Sequence, residues 1–272
     1  MSKILNVIVI AAHPDEPEEY AGGTAALYAE LGHRVKFLTL TNGDIGHYDY
    51  KGPELVRRRG EEALVAAERL GVQEYTIWNI SDGWLVPSPE NRDKVIEQIR
   101  EWDADVVITF HGHGGGHFDN RNAGRIVRQA AEYVASGAAS FNKQPLFLLM
   151  PDFTARSIYK ADIAIDISSV LEKKLLGCDA HASQFYELAP WQKRIDHLVP
   201  ESLEDKKAFI LKYWANFFNV SEEMLPALER WYGKYKTAEI QYAEPYEIAS
   251  YNLREWSEED IRALVPMLQV EQ

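Results

Sequence analysis

Apolar and polar positions alternate along this chain in two registers. Ile4 to Ala11 is a run rich in β-branched residues, the mark of a strand buried on both faces. Tyr20 to Leu31 then follows a helical spacing, with small residues on one side and Gly32 as its stop. Arg34 to Thr41 predicts a second strand, ending in the turn Thr41-Asn42-Gly43-Asp44. The same alternation continues with a helix over Glu54 to Leu70, closed by Gly71, and a strand over Glu74 to Asn79. It goes on with a helix over Pro89 to Trp102, a strand over Asp105 to Phe110, a helix over Asn120 to Ser136 and a strand over Pro145 to Met150. Beyond about residue 150 the pattern weakens. Ala161 to Leu176, Leu203 to Phe218 and Ser221 to Tyr232 read as helical, and the C-terminal stretch mixes short strand and helix signals.

Strand and helix in alternation call for an α/β fold, a mostly parallel sheet with helices on both faces. The expected organisation is a single domain over residues 1–272. Its core covers about 4–185, and 186–272 form a C-terminal elaboration. In such sheets ligands lie beyond the carboxyl ends of the strands. The loops at those ends begin at Ala12, Thr41, Asn79 and His111, and they hold most of the unusual chemistry.

Composition narrows the field. With 272 residues, 46% hydrophobic and 26% charged, the chain is neither disordered, collagen-like nor a disulfide scaffold. A chain of this length buries roughly three quarters of its unfolded surface and needs no staples. The formal charge is −13, from 29 basic and 42 acidic residues. That field repels phosphate backbones and anionic lipid, so neither nucleic acid nor a membrane surface is an expected partner. A neutral or cationic small molecule is easier to accommodate. The one cysteine, Cys178, cannot form an internal disulfide, which suits a reducing, cytoplasmic setting. The N-terminal apolar run leads straight into His13-Pro14-Asp15-Glu16 with no small-residue cleavage site, so it does not read as a signal peptide. No apolar stretch approaches the roughly 18 residues of a membrane span.

Three segments carry candidate chemistry. In His13-Pro14-Asp15-Glu16 an imidazole and a carboxylate three residues apart can bind one metal ion, while Asp15 faces a water that the metal acidifies. The competing reading is a set of acids at a helix start, favoured there by the dipole. The second segment, His111 to Asn120, places three of the eight histidines within seven residues around Gly112 and Gly114 to Gly116. Glycine at such density implies close approach to a ligand, and the alternative is a flexible surface loop. No Lys or Ser/Thr follows as a phosphate cradle would require. The third, His181-Ala182-Ser183-Gln184, reads by itself as a structural hydrogen-bonded pair. Arg59 and Glu62 stand at i and i+3, where they pair, hold a ligand hydroxyl or simply form a solvated face. Asp82-Gly83 is a turn unless it reaches the same crevice.

Taken in order, these segments resemble the PIG-L/LmbE-like N-acetylglucosaminyl deacetylase family. The elements that carry the resemblance are Ala12-His13-Pro14-Asp15-Glu16, Gly22-Gly23-Thr24, Gly32-His33 and Thr41-x-Gly43-Asp44. They continue with Arg59-x-x-Glu62, Ala66 and Leu70-Gly71-Val72, then Asp82-Gly83, Asp105 to Thr109 and Gly116-His117-x-Asp119. Lys174 and His181-x-Ser183-Gln184 follow, with Ala243-Glu244-x-Tyr246 as a late fragment. The resemblance implies a Rossmann-like fold and a zinc-dependent hydrolase that removes an N-acyl group from an amino sugar or sugar conjugate. Carried over by position, His13 and Glu16 are metal ligands and Asp15 is the general base. His117 stabilises the oxyanion or protonates the leaving amine, and Arg59 and Asp82 contact the substrate.

Two departures stand out. Glu16 occupies a position where Asp is usual in the family. The third ligand position, a histidine in the family, is Asn120, whose amide oxygen is a weak zinc ligand. Three outcomes are open. His111 or His113 completes the site; the site holds zinc or another divalent metal through Asn120; or metal and hydrolysis are lost and a sugar-like ligand is bound instead. The active metal-dependent hydrolase is the favoured expectation. A nucleotide-binding α/β enzyme ranks last, because His13-Pro14 stands where a glycine-rich turn would follow strand one. Gly115 stands in for a bulkier residue, which would open the pocket. Trp84 and Trp191 are candidates for stacking on a sugar, against ordinary packing. Seven Trp and 14 Tyr supply material for a homo-oligomer interface of unspecified order.

Overall fold

A computed structural model describes residues 3–113, 116–137, 141, 143–152, 159–251 and 254–268. Its strands are β1 (Asn6–Ala11), β2 (Arg34–Thr39), β3 (Glu74–Ile77), β4 (Val106–Phe110), β5 (Leu146–Met150), β6 (Ile163–Asp166) and β7 (Ala243–Ile248). Between the first five run helices α1 (Glu16–Glu30), α2 (Pro53–Leu70), α3 (Pro89–Glu101) and α4 (Phe118–Ala135), with α5 (Leu171–Ala180) beyond. The sheet order is β3-β2-β1-β4-β5-β7-β6. β1 to β5 pair in parallel, and β7 runs antiparallel to both β5 and β6.

All six residues of β1 and all five of β4 and of β5 are buried, as a sheet covered on both faces demands. One face packs Val7, Val9, Phe37, Ile108 and Leu148 against α1, and the other packs Ile8, Ile10 and Val107 against α3 and α4, the latter through Ile126 and Val127. The order reverses beside β1, which has β2 on one side and β4 on the other. The crevice opened by that reversal lies beyond the ends of β1 and β4, where doubly wound sheets bind ligands. The loop at Ala12 and the loop at His111 therefore meet.

Residues 161–176 depart from the sequence reading. Ile163–Asp166 is a strand rather than the start of a helix, and α-helix begins only at Leu171, after a 3-10 turn over Ser168–Val170. Ile163, Ala164 and Ile165 are all fully buried because β7 pairs alongside them. That partner lies some eighty residues downstream, so a local periodicity could not report it. β7 also shows that the sheet draws on residues from both sides of position 185. Its Glu244 accepts the Gly23 and Thr24 amides of α1 at 2.8 and 2.7 Å and meets Lys174 Nζ at 2.8 Å. Both members of that ion pair are buried. Among the described residues no helix is long and apolar enough to cross a membrane.

Candidate active site

His13 leaves the end of β1 with its ring almost wholly buried. Its Nδ1 lies 3.0 Å from Glu16 Oε1, and its Nε2 lies 3.1 Å from Asp82 Oδ1 and 3.3 Å from Asp119 Oδ2. The His117 ring stands edge-on to it at 4.7 Å between centroids. Three carboxylates thus surround one imidazole. Burial pulls the His13 pKa down, but the charge of Glu16 and the hydrogen bonds of Asp119, Asp82 and Glu16 drive it well above its ordinary value. Asp82 shifts the other way: burial raises it, and the His13 hydrogen bond and charge, followed by Arg59, pull it below the usual carboxylate range.

Donor atoms of His13, His117 and Asp119 converge within 4.8 Å of one another. In the first turn of α4, which carries Asp119, two acceptors, Asp119 Oδ1 and Asn120 Oδ1, are buried with no hydrogen-bond partner among the described residues. Buried polar atoms are normally satisfied. An anionic hole with unpaired oxygens is suited to a cation, and the residues present fit a divalent metal.

The helix-start reading of Asp15 and Glu16 is met in part. Glu16 Oε2 accepts the Ala12 and His13 amides at 2.9 and 2.8 Å, so this carboxylate folds back onto its own turn and leaves Oε1 beside His13. Asp15 occupies the N-cap position of α1 but makes no side-chain cap bond. Its backbone has φ +109°, a region a non-glycine residue occupies at a cost of order 1–3 kcal/mol and chiefly at functional sites. Its Oδ1 instead accepts from Arg59 Nη2 at 3.0 Å. Burial raises the Asp15 pKa to about 6, against the opposing charges of Arg59 and His181.

Arg59 is 2% exposed and its guanidinium is engaged by protein groups: Asp15, the Pro14 carbonyl and, at 3.3 Å, the Gly43 carbonyl. It stands behind Asp15. The Arg59–Glu62 pairing considered from sequence does not form, because Glu62 accepts the Ser183 amide at 2.9 Å and its hydroxyl at 2.6 Å. Gln184 Nε2 reaches the Gly46 carbonyl at 3.2 Å, so the His181 to Gln184 segment braces the loop after β2. His181 itself is buried with Nε2 3.2 Å from Glu18 Oε1.

The structure does not bring the other two histidines of the glycine-rich loop to His13. His111 faces Glu247 at 3.7 Å, and His113 Nε2 lies 2.9 Å from Arg128 Nη1. Gly114 and Gly115 lie outside the described residues. Of the tryptophans, Trp84 is 74% exposed, while Trp191 stacks on Tyr48 at 4.9 Å. Sequence reasoning gave no role to Asp152, Glu18 or Tyr75, whose hydroxyl donates to Glu18 at 3.3 Å. Asp152 follows β5 at the same sheet end as the other site loops, and that position was the available signal.

A doubly wound α/β fold with an acidic, histidine-bearing crevice at its reversal point defines a class of ligand-binding enzyme. Comparison with known proteins narrows it. The family model described as GlcNAc-PI de-N-acetylase matches residues 8–131. The diacetylchitobiose deacetylase of Thermococcus kodakarensis is 30% identical over 197 residues, covering 68% of this chain and 72% of that protein. The chain belongs to the PIG-L/LmbE-like N-acetylglucosaminyl deacetylase family. Among solved structures, N,N'-diacetylchitobiose deacetylase from Pyrococcus horikoshii superposes with a TM-score of 0.67 at 22% identity, covering 90% of this chain and 84% of that one. The 4-carboxy-2-hydroxymuconate hydratase of Pseudomonas putida gives the same TM-score at 18% identity, covering 93% of this chain and all of its own. The fold is thus common to deacetylases and a hydratase.

Proposed function

We propose that this protein is a metal-dependent hydrolase that removes an N-acyl, typically acetyl, group from an amino sugar or sugar conjugate. The observation that carries the reading is the crowding of donor groups about one imidazole: Glu16, Asp82, Asp119 and His117 all face His13. In this reading His13, Glu16 and Asn120 hold the cation, with Asp119 and His117 alongside. A divalent ion so held, zinc or another, supplies Lewis acidity toward an acyl oxygen and makes water more acidic.

Asp15 is the base in this scheme. A carboxyl raised to about 6 is still charged at neutral pH yet accepts a proton more readily than an ordinary carboxylate. Arg59 holds it in place. The His117 Nδ1 accepts the Asp119 amide at 3.3 Å, which leaves the ring proton on Nε2. That N–H is free to donate to the acyl oxygen as charge develops, or to the departing amine. Asp82 keeps one oxygen on His13 and offers the other to a substrate hydroxyl, and Trp84 provides an exposed ring at the next turn. The charge of −13 favours a neutral or cationic amino sugar over a strongly anionic one and argues against nucleic-acid and membrane partners. Cys178, buried and unpaired, suits a cytoplasmic location.

The test is metal content of the purified protein together with acetate release from N-acetylated amino sugars. Stoichiometric metal, and acetate release that chelator abolishes and the metal restores, support the reading. Because a hydratase shares the fold, acetate release decides the reaction. A folded protein without metal, whose Asn120→His variant alone gains zinc and deacetylase activity, would show that the native chain is a metal-free, catalytically altered member of the family.

A further inference from the structure

Asp152, nine-tenths buried at the end of β5, reaches the loop that follows β4. Its Oδ2 accepts the His117 backbone N–H at 2.9 Å and the Asn120 side-chain Nδ2 at 3.1 Å. Its Oδ1 accepts from the Tyr20 hydroxyl at 3.3 Å. A carboxylate only accepts hydrogen bonds, so the Asn120 amide must turn its NH2 toward Asp152. The amide oxygen is thereby turned away, into a buried position without a partner among the described residues. Rotating the amide by half a turn would set two acceptors against each other, so the orientation is fixed by chemistry.

The loop backbone is pressed against the same carboxylate. Gly116 has φ +92°, and a Cβ on it would fall 2.0 Å from Asp152 Oδ2 and 2.3 Å from its Cγ. Any side chain at 116 would displace Asp152, which accounts for glycine in the Gly116-His117 element.

We propose that Asp152 is a positioning residue that locks the Asn120 amide with its oxygen toward the cation site, so that a neutral amide can serve where relatives of this family place an imidazole. This rests on the cation site of the preceding section. Partners that orient a metal ligand typically alter metal affinity by about 10- to 100-fold when removed. An amide oxygen, with no charge of its own, depends on such orientation because its other end repels a cation.

The experiment is a competition titration of Zn²⁺ or Co²⁺ against a chelator on the full chain. Asp152→Asn, which can pair with Asn120 in either orientation, is expected to weaken binding by about 10- to 100-fold. In an Asn120→Ala background the same change is expected to alter affinity by less than about twofold, since the amide it orients is gone. Equal losses in both backgrounds would show that Asp152 merely supports the loop, and an unchanged affinity for Asp152→Asn would show that it does nothing for the ion; either overturns the proposal. If Asp152→Asn does not fold, Asp152→Ser carries the same comparison, being too short to reach Asn120. Folded wild-type protein that takes up neither metal removes the cation site itself, and that control is read before any variant.

Discussion

Arg59 Nη2 and Asp15 Oδ1 meet at 3.0 Å across 44 residues of sequence, joining the first turn of the site to helix α2. The same guanidinium binds the Pro14 and Gly43 carbonyls, so one side chain pins two strand-end loops. A Cβ on Gly43, whose φ is +64°, would lie 2.2 Å from Arg59 Nη1. Arg59→Leu leaves a buried carboxylate without its counter-ion and is expected to cost about 3–5 kcal/mol in urea unfolding. Arg59→Lys is expected to recover little of it, because an ammonium cannot reproduce the forked contacts.

Asp15→Asn tests the assigned base directly. Deacetylation should fall by about 10²- to 10⁴-fold with metal stoichiometry near wild type, while the melting temperature drops because the buried Arg59 guanidinium loses its counter-ion. Retention of full turnover would transfer the base role elsewhere.

The Lys174–Glu244 pair links α5 to β7 in the interior. Lys174→Met is expected to lower stability by about 3–5 kcal/mol, because Glu244 stays buried with its charge uncompensated. Chemical denaturation monitored by tryptophan fluorescence would report this as a lower midpoint with an unchanged slope.

Gly124 sits where α4 crosses the end of β4. A Cβ there would lie 2.3 Å from the Phe110 carbonyl oxygen and 2.7 Å from the Gly112 nitrogen. Gly124→Ala must therefore push helix from strand and is expected to destabilise by about 1–3 kcal/mol, despite alanine's better helix propensity. A thermal melt at or above that of wild type would contradict it.

Asp105 provides a pH dependence remote from the catalytic crevice. Burial would raise its pKa, but Lys3, the Asn6 amide and Lys143 outweigh burial and hold it below the ordinary carboxylate value. A carboxyl depressed in the folded state adds stability that is complete above its unfolded pKa of about 3.9 and is lost as pH falls through the folded value. Asp105→Asn should be less stable than wild type at pH 7, and the difference should close in titrations carried below about pH 4.

The local sequence determined the five parallel strands, the four helices between them and the turns that end them, because apolar spacing and Gly or Pro punctuation act within a few residues. Residue type and spacing also singled out His13, Asp15 and Glu16, whereas the roles expected of Arg59, Asp82 and His117 came from the family resemblance. Tertiary structure decided the rest. The pairing of β6 with β7 is non-local, so a strand at Ile163–Asp166 looked helical. Which side chains meet was equally hidden: Arg59 faces Asp15 while Glu62 turns to Ser183, and Asp152 reaches Asn120 from another strand. Such contacts depend on strand order and on which face each helix presents, and these are settled only when the whole sheet assembles and its buried polar groups find partners.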